Sequence, residues 1–574
     1  MASVSFRLRI QQHELYPLRC EVSGCRYRAL FGGSCRFNNN KNPFSSESVM
    51  TSLFHAIRSV ANKFPEQDAI VFYPDPALPA EVITYQQLDA AIDAAISAFI
   101  NDGVAPGDTI GVIPALNPES LIAIIAAASL GVAHPVNLLL SPEAMKAQFD
   151  ALSVKRIVAL GKSPVLDPAG QLVSAGVAAS KIVEIPVVPG ASIFRTWSEL
   201  VAGAKSSINL ERSEDEVALI FGTGGTTGAP KLARLSTANI IFASQTYCRG
   251  AGIREGDRFL SGLPLFHVGG LINAALGALL SGATIVFPSA FGMRHPKVLD
   301  ATWRLIAEAR ITLVGLVPTS ISAILEKPKG EADLSSLRGI FTGSAPISAN
   351  LAAKIEAYAE APLIELYGMT ETSGITSCNS TSNRVLGTVG LPVEGAEVSI
   401  GAPGSGQNKH QQGEIFVRGR NVFLGYTDAA ETQKVLSDGW MASGDLGYFR
   451  EDGRLVICGR SKDVIIRSGH NIDPVMIESC AQDHPAVLYA AAIGFPDEYA
   501  GELPVLYITL KPGATVTEEE LRAYVCSRVS EPPARPKRVF LIQDMPLTPV
   551  GKIFKPHLRA DAQRRAASGE SVSN

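Results

Sequence analysis

From residue 50 to about residue 458, apolar runs of strand character alternate with stretches of helical period, and few architectures satisfy that alternation. Strand candidates fall at 109–113, 157–160, 283–287, 311–317 and 339–342. One helix is well marked. Thr84 and Gln87 fit a capping box, Leu88, Ile92, Ala95, Ile96 and Phe99 share one face, and Gly103 suits the position past its end. The predicted fold class is α/β, with layered parallel sheets. After about residue 387 the pattern changes to short strands and glycine turns, such as 413–419, which predicts a β-rich closing module.

A polar segment, Gly459-Arg460-Ser461-Lys462-Asp463, precedes a smaller α+β pattern. That pattern contains a strand candidate at 505–510 and a helix opening at Thr517, with Glu520 placed for a capping box. The expected division is an extension over 1–49, a large domain over 50–460, a small domain over 461–565 and a disordered tail over 566–574. A chain of 574 residues exceeds what one core usually supports. The apolar run 121–133 is too short to cross a bilayer, and 268–288 reads as a buried helix followed by a strand.

A net charge of −4 leaves no basic footprint for nucleic acid or an anionic membrane. Eight cysteines, at 20, 25, 35, 248, 378, 458, 480 and 526, show no paired metal spacing and read as reduced. Residues 1–49 are rich in arginine and poor in acids. That bias fits an organelle transit peptide, a disordered extension, or a gene start placed upstream of Met50. The closing Ser-Val-Ser-Asn is not a peroxisomal address, so cytoplasm is the expected compartment.

The chemistry concentrates at Phe221-Gly222-Thr223-Gly224-Gly225-Thr226-Thr227-Gly228-Ala229-Pro230-Lys231-Leu232, which follows the strand-like run 217–220. Glycines let backbone N–H groups close on an anion, and threonine hydroxyls and an ammonium add donors and charge. The run suits a polyphosphate. It is not a P-loop, whose last glycine leads directly into Lys-Ser/Thr.

Further blocks follow in order. These are Tyr367-Gly368-Met369-Thr370-Glu371-Thr372, Ser443-Gly444-Asp445-Leu446-Gly447, Gly459-Arg460-Ser461-Lys462-Asp463 and Thr548-Pro549-Val550-Gly551-Lys552-Ile553. Over roughly residues 50–560 the set resembles the adenylate-forming superfamily of acyl-CoA synthetases, nonribosomal adenylation domains and beetle luciferases. The resemblance implies a large layered α/β domain and a mobile C-terminal domain. It also implies two half-reactions: a carboxylate and ATP give acyl-adenylate and pyrophosphate, and a thiol then takes the acyl group.

The resemblance assigns nucleotide contacts to Thr223, Gly224, Gly225, Thr226, Thr227, Gly228 and Lys231, and to Gly343, Ser344 and Ala345. It extends them through Tyr367, Gly368, Met369 and Thr370 to Asp445, Arg460 and Lys552. Tyr367 stands where an aromatic stacks on adenine, and Asp445 where a carboxylate accepts from the ribose hydroxyls. Thr370 and Glu371 take catalytic positions; Glu371 with Thr223 is the expected Mg²⁺ site. Lys552 matches the catalytic lysine and Lys462 the hinge, while Ser468, Gly469 and His470 match the loop that admits CoA. Two departures stand in the phosphate loop: Gly224 replaces the usual Ser, and Leu232 the usual Gly.

Outside that context, Glu371 reads as a solvated turn carboxylate, Tyr367 as a core aromatic and Lys462 as a surface charge. His267, in Leu265-Phe266-His267-Val268-Gly269-Gly270, is either a gate to the acyl pocket or a buried, hydrogen-bonded histidine. The acyl pocket is expected from His267, Gly269, Gly270, Leu271, Asn273, Ala274, Val314, Gly315, Val317, Gly343, Ser344, Ala345 and Ile375. None of these would neutralise a second charge, so a neutral aliphatic or aromatic tail is expected. The implied activity is an AMP-forming acyl-CoA synthetase using ATP, Mg²⁺ and CoA. A ligase loading a carrier protein in trans, and an inactive binding homologue, remain alternatives; no carrier domain is seen after residue 565.

Overall fold

The computed structural model describes residues 52–163, 166–187, 192–204, 212–223, 231–406, 409–548 and 551–572. The helix predicted from its capping box spans Tyr85–Asn101. Thr84 accepts from the Gln87 N–H, and the Gln87 side chain accepts from the Thr84 N–H. Its face of Leu88, Ile92, Ala95, Ile96 and Phe99 is fully buried, and Gly103 follows in the left-handed region at φ +80°.

Two mainly parallel sheets carry the large domain. One runs in the order Arg195–Thr196, Ile182–Ile185, Arg156–Leu160, Thr109–Ile113, Val132–Pro135, Val217–Thr223, Lys231–Ser236, and only its last pair is antiparallel. The other has nine strands. Leu363–Tyr367, Gly339–Thr342, Leu313–Leu316, Arg258–Ser261, Thr284–Phe287 and Asp68–Phe72 pair in parallel, and antiparallel strands close both edges.

Helix Pro118–Leu130, which holds most of the 121–133 run, buries every residue except Glu119. Apolar on all sides, it belongs inside a core. Among the described residues, no helix is long and apolar enough to cross a membrane. The 268–288 segment departs from a single helix. Gly269–Leu276 winds as a π-helix, Gly277–Leu280 as an α-helix, and strand Thr284–Phe287 follows.

A five-stranded antiparallel module is built from Ala396–Ile400, Gly413–Gly419, Leu436–Ser437, Trp440–Phe449 and Leu455–Arg460. The chain then makes one tight turn, Ser461–Asp463, and enters a last sheet at Ile465–Arg467. This sheet has its own core, including Ile465, Ile477, Ile508, Leu521 and Val525. Helix Glu518–Arg528 starts at the expected Thr517/Glu520 capping box.

The expected disorder of 566–574 is corrected as far as residue 572. Helix Lys555–Ala567 enters the segment, Glu570 pairs with Arg538 at 2.7 Å and with Arg565 at 3.2 Å, and Val572 joins the cluster around Phe540. A polar composition conceals one apolar side chain and one acid whose partners are fixed elsewhere. Residues 1–49, with Cys20, Cys25 and Cys35, lie outside the described residues. The other five cysteines are free.

Candidate functional site

The glycine–threonine run joins two antiparallel strands. Pairing of Val217–Thr223 with Lys231–Ser236 ends at Thr223 opposite Lys231, and the Thr223 hydroxyl donates to the Lys231 carbonyl at 3.3 Å. Gly224, Gly225, Thr226, Thr227 and Gly228 lie outside the described residues; the base of their loop is closed. A P-loop instead leads from a strand into a helix. Past the loop, the second strand is stitched to a distant segment. The Arg234 N–H donates to the Gly425 carbonyl at 3.0 Å, and the Thr427 N–H to the Leu232 carbonyl at 2.9 Å. This brings Glu431 to 2.5 Å from the Lys231 ammonium and sets that ammonium 5.1 Å from the centre of the Tyr426 ring. Sequence reasoning missed both partners. A tyrosine and a glutamate about 200 positions away carry no signal until the strands pair.

Strand Leu363–Tyr367 delivers the second block. A Cβ on Gly368 would lie 2.3 Å from the Gly374 carbonyl oxygen, so the backbone turns there only without one. Thr370–Thr372 forms a single tight turn, after which Ser373 and Gly374 take positive φ values of 52° and 95°. Glu371 is thereby turned toward Tyr426, whose hydroxyl donates to its Oε1 at 2.6 Å. The Tyr367 hydroxyl donates to Asp445 Oδ2 at 2.8 Å, and Arg460 Nε holds Asp445 Oδ1 at 3.0 Å. Asp445 and Arg460 are cross-strand partners in the antiparallel module, so the sheet register itself builds this ion pair. Burial, reinforced by the Asp445 carboxylate, raises the Tyr367 phenol well above its ordinary pKa.

The third component arrives from the connection between strand Arg538–Leu541 of the last sheet and helix Lys555–Ala567. The Thr548 hydroxyl accepts from the Lys552 N–H at 3.0 Å, and the Thr548 N–H donates to the Lys552 carbonyl at 2.6 Å, closing a turn at Gly551 (φ +80°). A Cβ on Gly551 would lie 3.1 Å from Thr319 Oγ1 and 3.6 Å from Val317, so the turn is docked on the large domain. Burial pulls the Lys552 pKa down to about 8. Arg460 adds to that shift, and Asp445 and Glu371 oppose it. Lys552 also contributes to His267, whose pKa burial lowers to about 3. The Gly269 N–H donates to His267 Nδ1 at 3.1 Å, which leaves the proton of the neutral ring on Nε2. Lys462, on the turn Ser461–Asp463, has its pKa lowered, first by burial and then by Arg460.

Ser468, Gly469 and His470 are not brought to this cluster. Ser468 and Gly469 form the exposed turn of a hairpin, with φ values of 47° and 82°, and a Cβ on Gly469 would meet nothing within 4 Å.

Beside His267 lies a cavity. Of the expected lining, the structure places Gly269, Asn273, Ala274, Gly315, Val317, Gly343 and Ser344 around it. Tyr247, Phe259, Leu263, Phe341 and Leu366 complete much of the wall; sequence reasoning missed these, since their apolar character reads as ordinary core. Gly270 serves packing instead, because a Cβ there would sit 2.2 Å from the Pro264 carbonyl oxygen. Leu271, Val314, Ala345 and Ile375 are not among the lining residues. Ser344 holds a left-handed φ of 72°, a strained state for a non-glycine residue. His267 is the one titratable side chain besides Tyr247 among the described lining residues.

Among the described residues, no group of three or more His, Cys, Asp or Glu side chains encloses a metal position. Glu371 and Thr223 offer hard oxygen donors only. That set fits Mg²⁺ carried in with a polyphosphate, since this ion keeps most of its ligands as water and phosphate oxygens.

Comparison with known proteins identifies the family. The AMP-binding enzyme family matches residues 57–427, and the AMP-binding enzyme C-terminal domain matches 476–552. Marinolic acid–CoA ligase of Pseudoalteromonas sp. is 38% identical over 60% of the chain and 55% of its own length. A probable CoA ligase, CCL5, of Humulus lupulus is 30% identical over 83% of the chain and 87% of its own length. ATP-bound MatB from Rhodopseudomonas palustris superposes with a TM-score of 0.77 at 27% identity, covering 89% of this chain and 98% of that one. The chain belongs to the AMP-binding enzyme family, the adenylate-forming superfamily, and within it to the acid–thiol ligases of acyl-CoA synthetase type.

Proposed function

We propose that this enzyme activates a carboxylic acid with a neutral tail as its acyl-adenylate, releasing pyrophosphate, and passes the acyl group to CoA. The observation carrying the reading is that the Lys552 turn docks on Val317 and Thr319 of the large domain, where its ammonium is under the influence of Asp445, Glu371 and Arg460 and itself acts on His267, a residue lining the apolar cavity. A carboxylate is a poor electrophile, and joining it to the α-phosphate supplies a leaving group.

In this reading Tyr367 packs against adenine and Asp445 accepts from the ribose, giving up its bonds to Tyr367 and Arg460. Lys231 and the loop it closes receive the β- and γ-phosphates. Lys552 bridges the attacking carboxylate and the α-phosphate, where charge builds in the transition state. Thr370 lies in the turn beside that phosphate. His267, neutral, offers its Nε2–H near the reacting carboxylate. Glu371, with Thr223, would hold Mg²⁺, which neutralises triphosphate charge. Lys462 lies where the small domain would swing, carrying Lys552 out and the exposed Ser468-Gly469-His470 turn in for the thiol step. The neutral-tail assignment is supported by a cavity with no Asp, Glu, Lys or Arg among its described lining residues.

A panel of aliphatic, aromatic, dicarboxylic and amino acids, assayed for pyrophosphate and then for thioester with CoA, tests the reading. Neutral-tailed acids should lead. Preference for a diacid or amino acid overturns the pocket assignment, and no pyrophosphate with any acid overturns the activity.

A further inference from the structure

We propose that Tyr426 is a positioning residue for the nucleotide's divalent cation. It pins the Glu371 carboxylate in its metal-facing pose and keeps that carboxylate apart from Lys231.

Tyr426 sits between the two groups. Its hydroxyl donates to Glu371 Oε1 at 2.6 Å, and the Lys231 ammonium stands 5.1 Å from the centre of its ring. Lys231 has a carboxylate of its own, Glu431 at 2.5 Å. The opposed charges that the reaction needs separately are therefore each satisfied by a different partner, with an aromatic ring between them. Were Glu371 and Lys231 to pair with each other, the metal ligand and the phosphate cation would neutralise one another.

The segment carrying Tyr426 is itself fixed. Tyr426 bridges Ala233 across the strands, and its N–H donates to Thr432 Oγ1 at 2.8 Å. The ring is 5% exposed and meets Phe423 edge-on at 4.9 Å. On the other side of Glu371, its backbone carbonyl accepts from the Phe423 N–H at 3.0 Å. Main chain and side chain of Glu371 are thus both held by the segment 423–426. A partner that orients a metal-binding carboxylate typically contributes about 10- to 100-fold in metal affinity.

This inference rests on the adenylating function proposed above, and its test needs no acyl substrate. Tyr426→Phe keeps the ring and removes only the donor. Calorimetry with the full chain and a non-hydrolysable ATP analogue, with and without Mg²⁺, reads the role directly. About tenfold weaker binding of the Mg²⁺–nucleotide is expected, with metal-free AMP binding unchanged. The ligand-free melting temperature should stay within about 4 °C of wild type. Glu431→Gln, which leaves the Tyr426–Glu371 hydrogen bond in place, should leave the Mg²⁺ concentration for half-saturation where it was. Equal losses with and without metal, or a Tyr426→Phe chain that binds Mg²⁺–nucleotide like wild type, overturn the positioning role. A wild-type chain that binds no nucleotide at all overturns the proposed function instead.

Discussion

Tyr367 and Asp445, 78 positions apart in sequence, are joined by a 2.8 Å hydrogen bond, and Arg460 closes the other oxygen of the same carboxylate. The carboxylate is 5% exposed, so without those partners it would be a buried, uncompensated charge. In the proposed function Asp445 is the ribose acceptor, and sugar hydroxyls would replace these protein donors.

Two substitutions separate these contributions. Tyr367→Phe removes one net hydrogen bond, worth about 1 kcal/mol, so the KM for ATP should change less than about tenfold. Asp445→Ala removes the acceptor together with the hydrogen bond from Tyr367 and the ion pair with Arg460. Its KM for ATP should rise far more, and its melting temperature should fall. Steady-state kinetics and thermal unfolding of both variants check this; equal effects would contradict it.

Lys552→Ala should cut acyl-adenylate formation by about 10²- to 10³-fold, the usual loss when one transition-state donor is removed. Transfer to CoA from chemically prepared acyl-adenylate should be largely spared, because the lysine turn would then have left the cleft. Single-turnover measurement of each half-reaction decides it, and equal damage to both defeats the assignment.

The Lys552 pKa of about 8 sets a pH limit. In the proposed reaction the ammonium is the working form, which predominates below that value, so kcat/KM for ATP should decline as pH rises through about 8. Because the His267 pKa is near 3, protonation of its ring should add no acid limb above about pH 4. Lys552→Arg, slower but permanently charged, should lose the alkaline limb; a limb retained in that variant assigns it to another group.

Adjacent glycines should behave differently. A Cβ on Gly270 would lie 2.2 Å from a backbone oxygen, and one on Gly269 would lie 3.2 Å from His267 Nδ1. Gly270→Ala should destabilise the chain by about 1–3 kcal/mol in denaturant unfolding. Gly269→Ala should leave stability nearly unchanged and register in acid selectivity.

Gly315 lines the cavity, and a Cβ there would sit 3.1 Å from the Phe259 ring. Gly315→Val should raise the KM of bulky acids more than that of short ones while leaving the KM for ATP within about twofold, since Gly315 is expected in the acyl pocket and not among the nucleotide contacts. A uniform loss across acids of all sizes would count against the cavity as the acyl site.

Local chemistry was legible in the sequence. The Thr84/Gln87 and Thr517/Glu520 caps, the strands at 109–113 and 339–342, and the strand entering the phosphate loop all follow from spacing and periodicity within a few residues. Motif order likewise pointed to the family. What needed tertiary structure were the pairings across long stretches of chain. Tyr426 and Glu431 meet Lys231 only because two strands hydrogen-bond, and Val572 is buried only because Phe540 waits for it. Phe259 and Phe341 belong to the main core and also wall the cavity, and Gly315 is in close contact with the Phe259 ring. Periodicity encodes which face of an element is apolar; which distant group meets that face is decided by packing, and no local pattern records it.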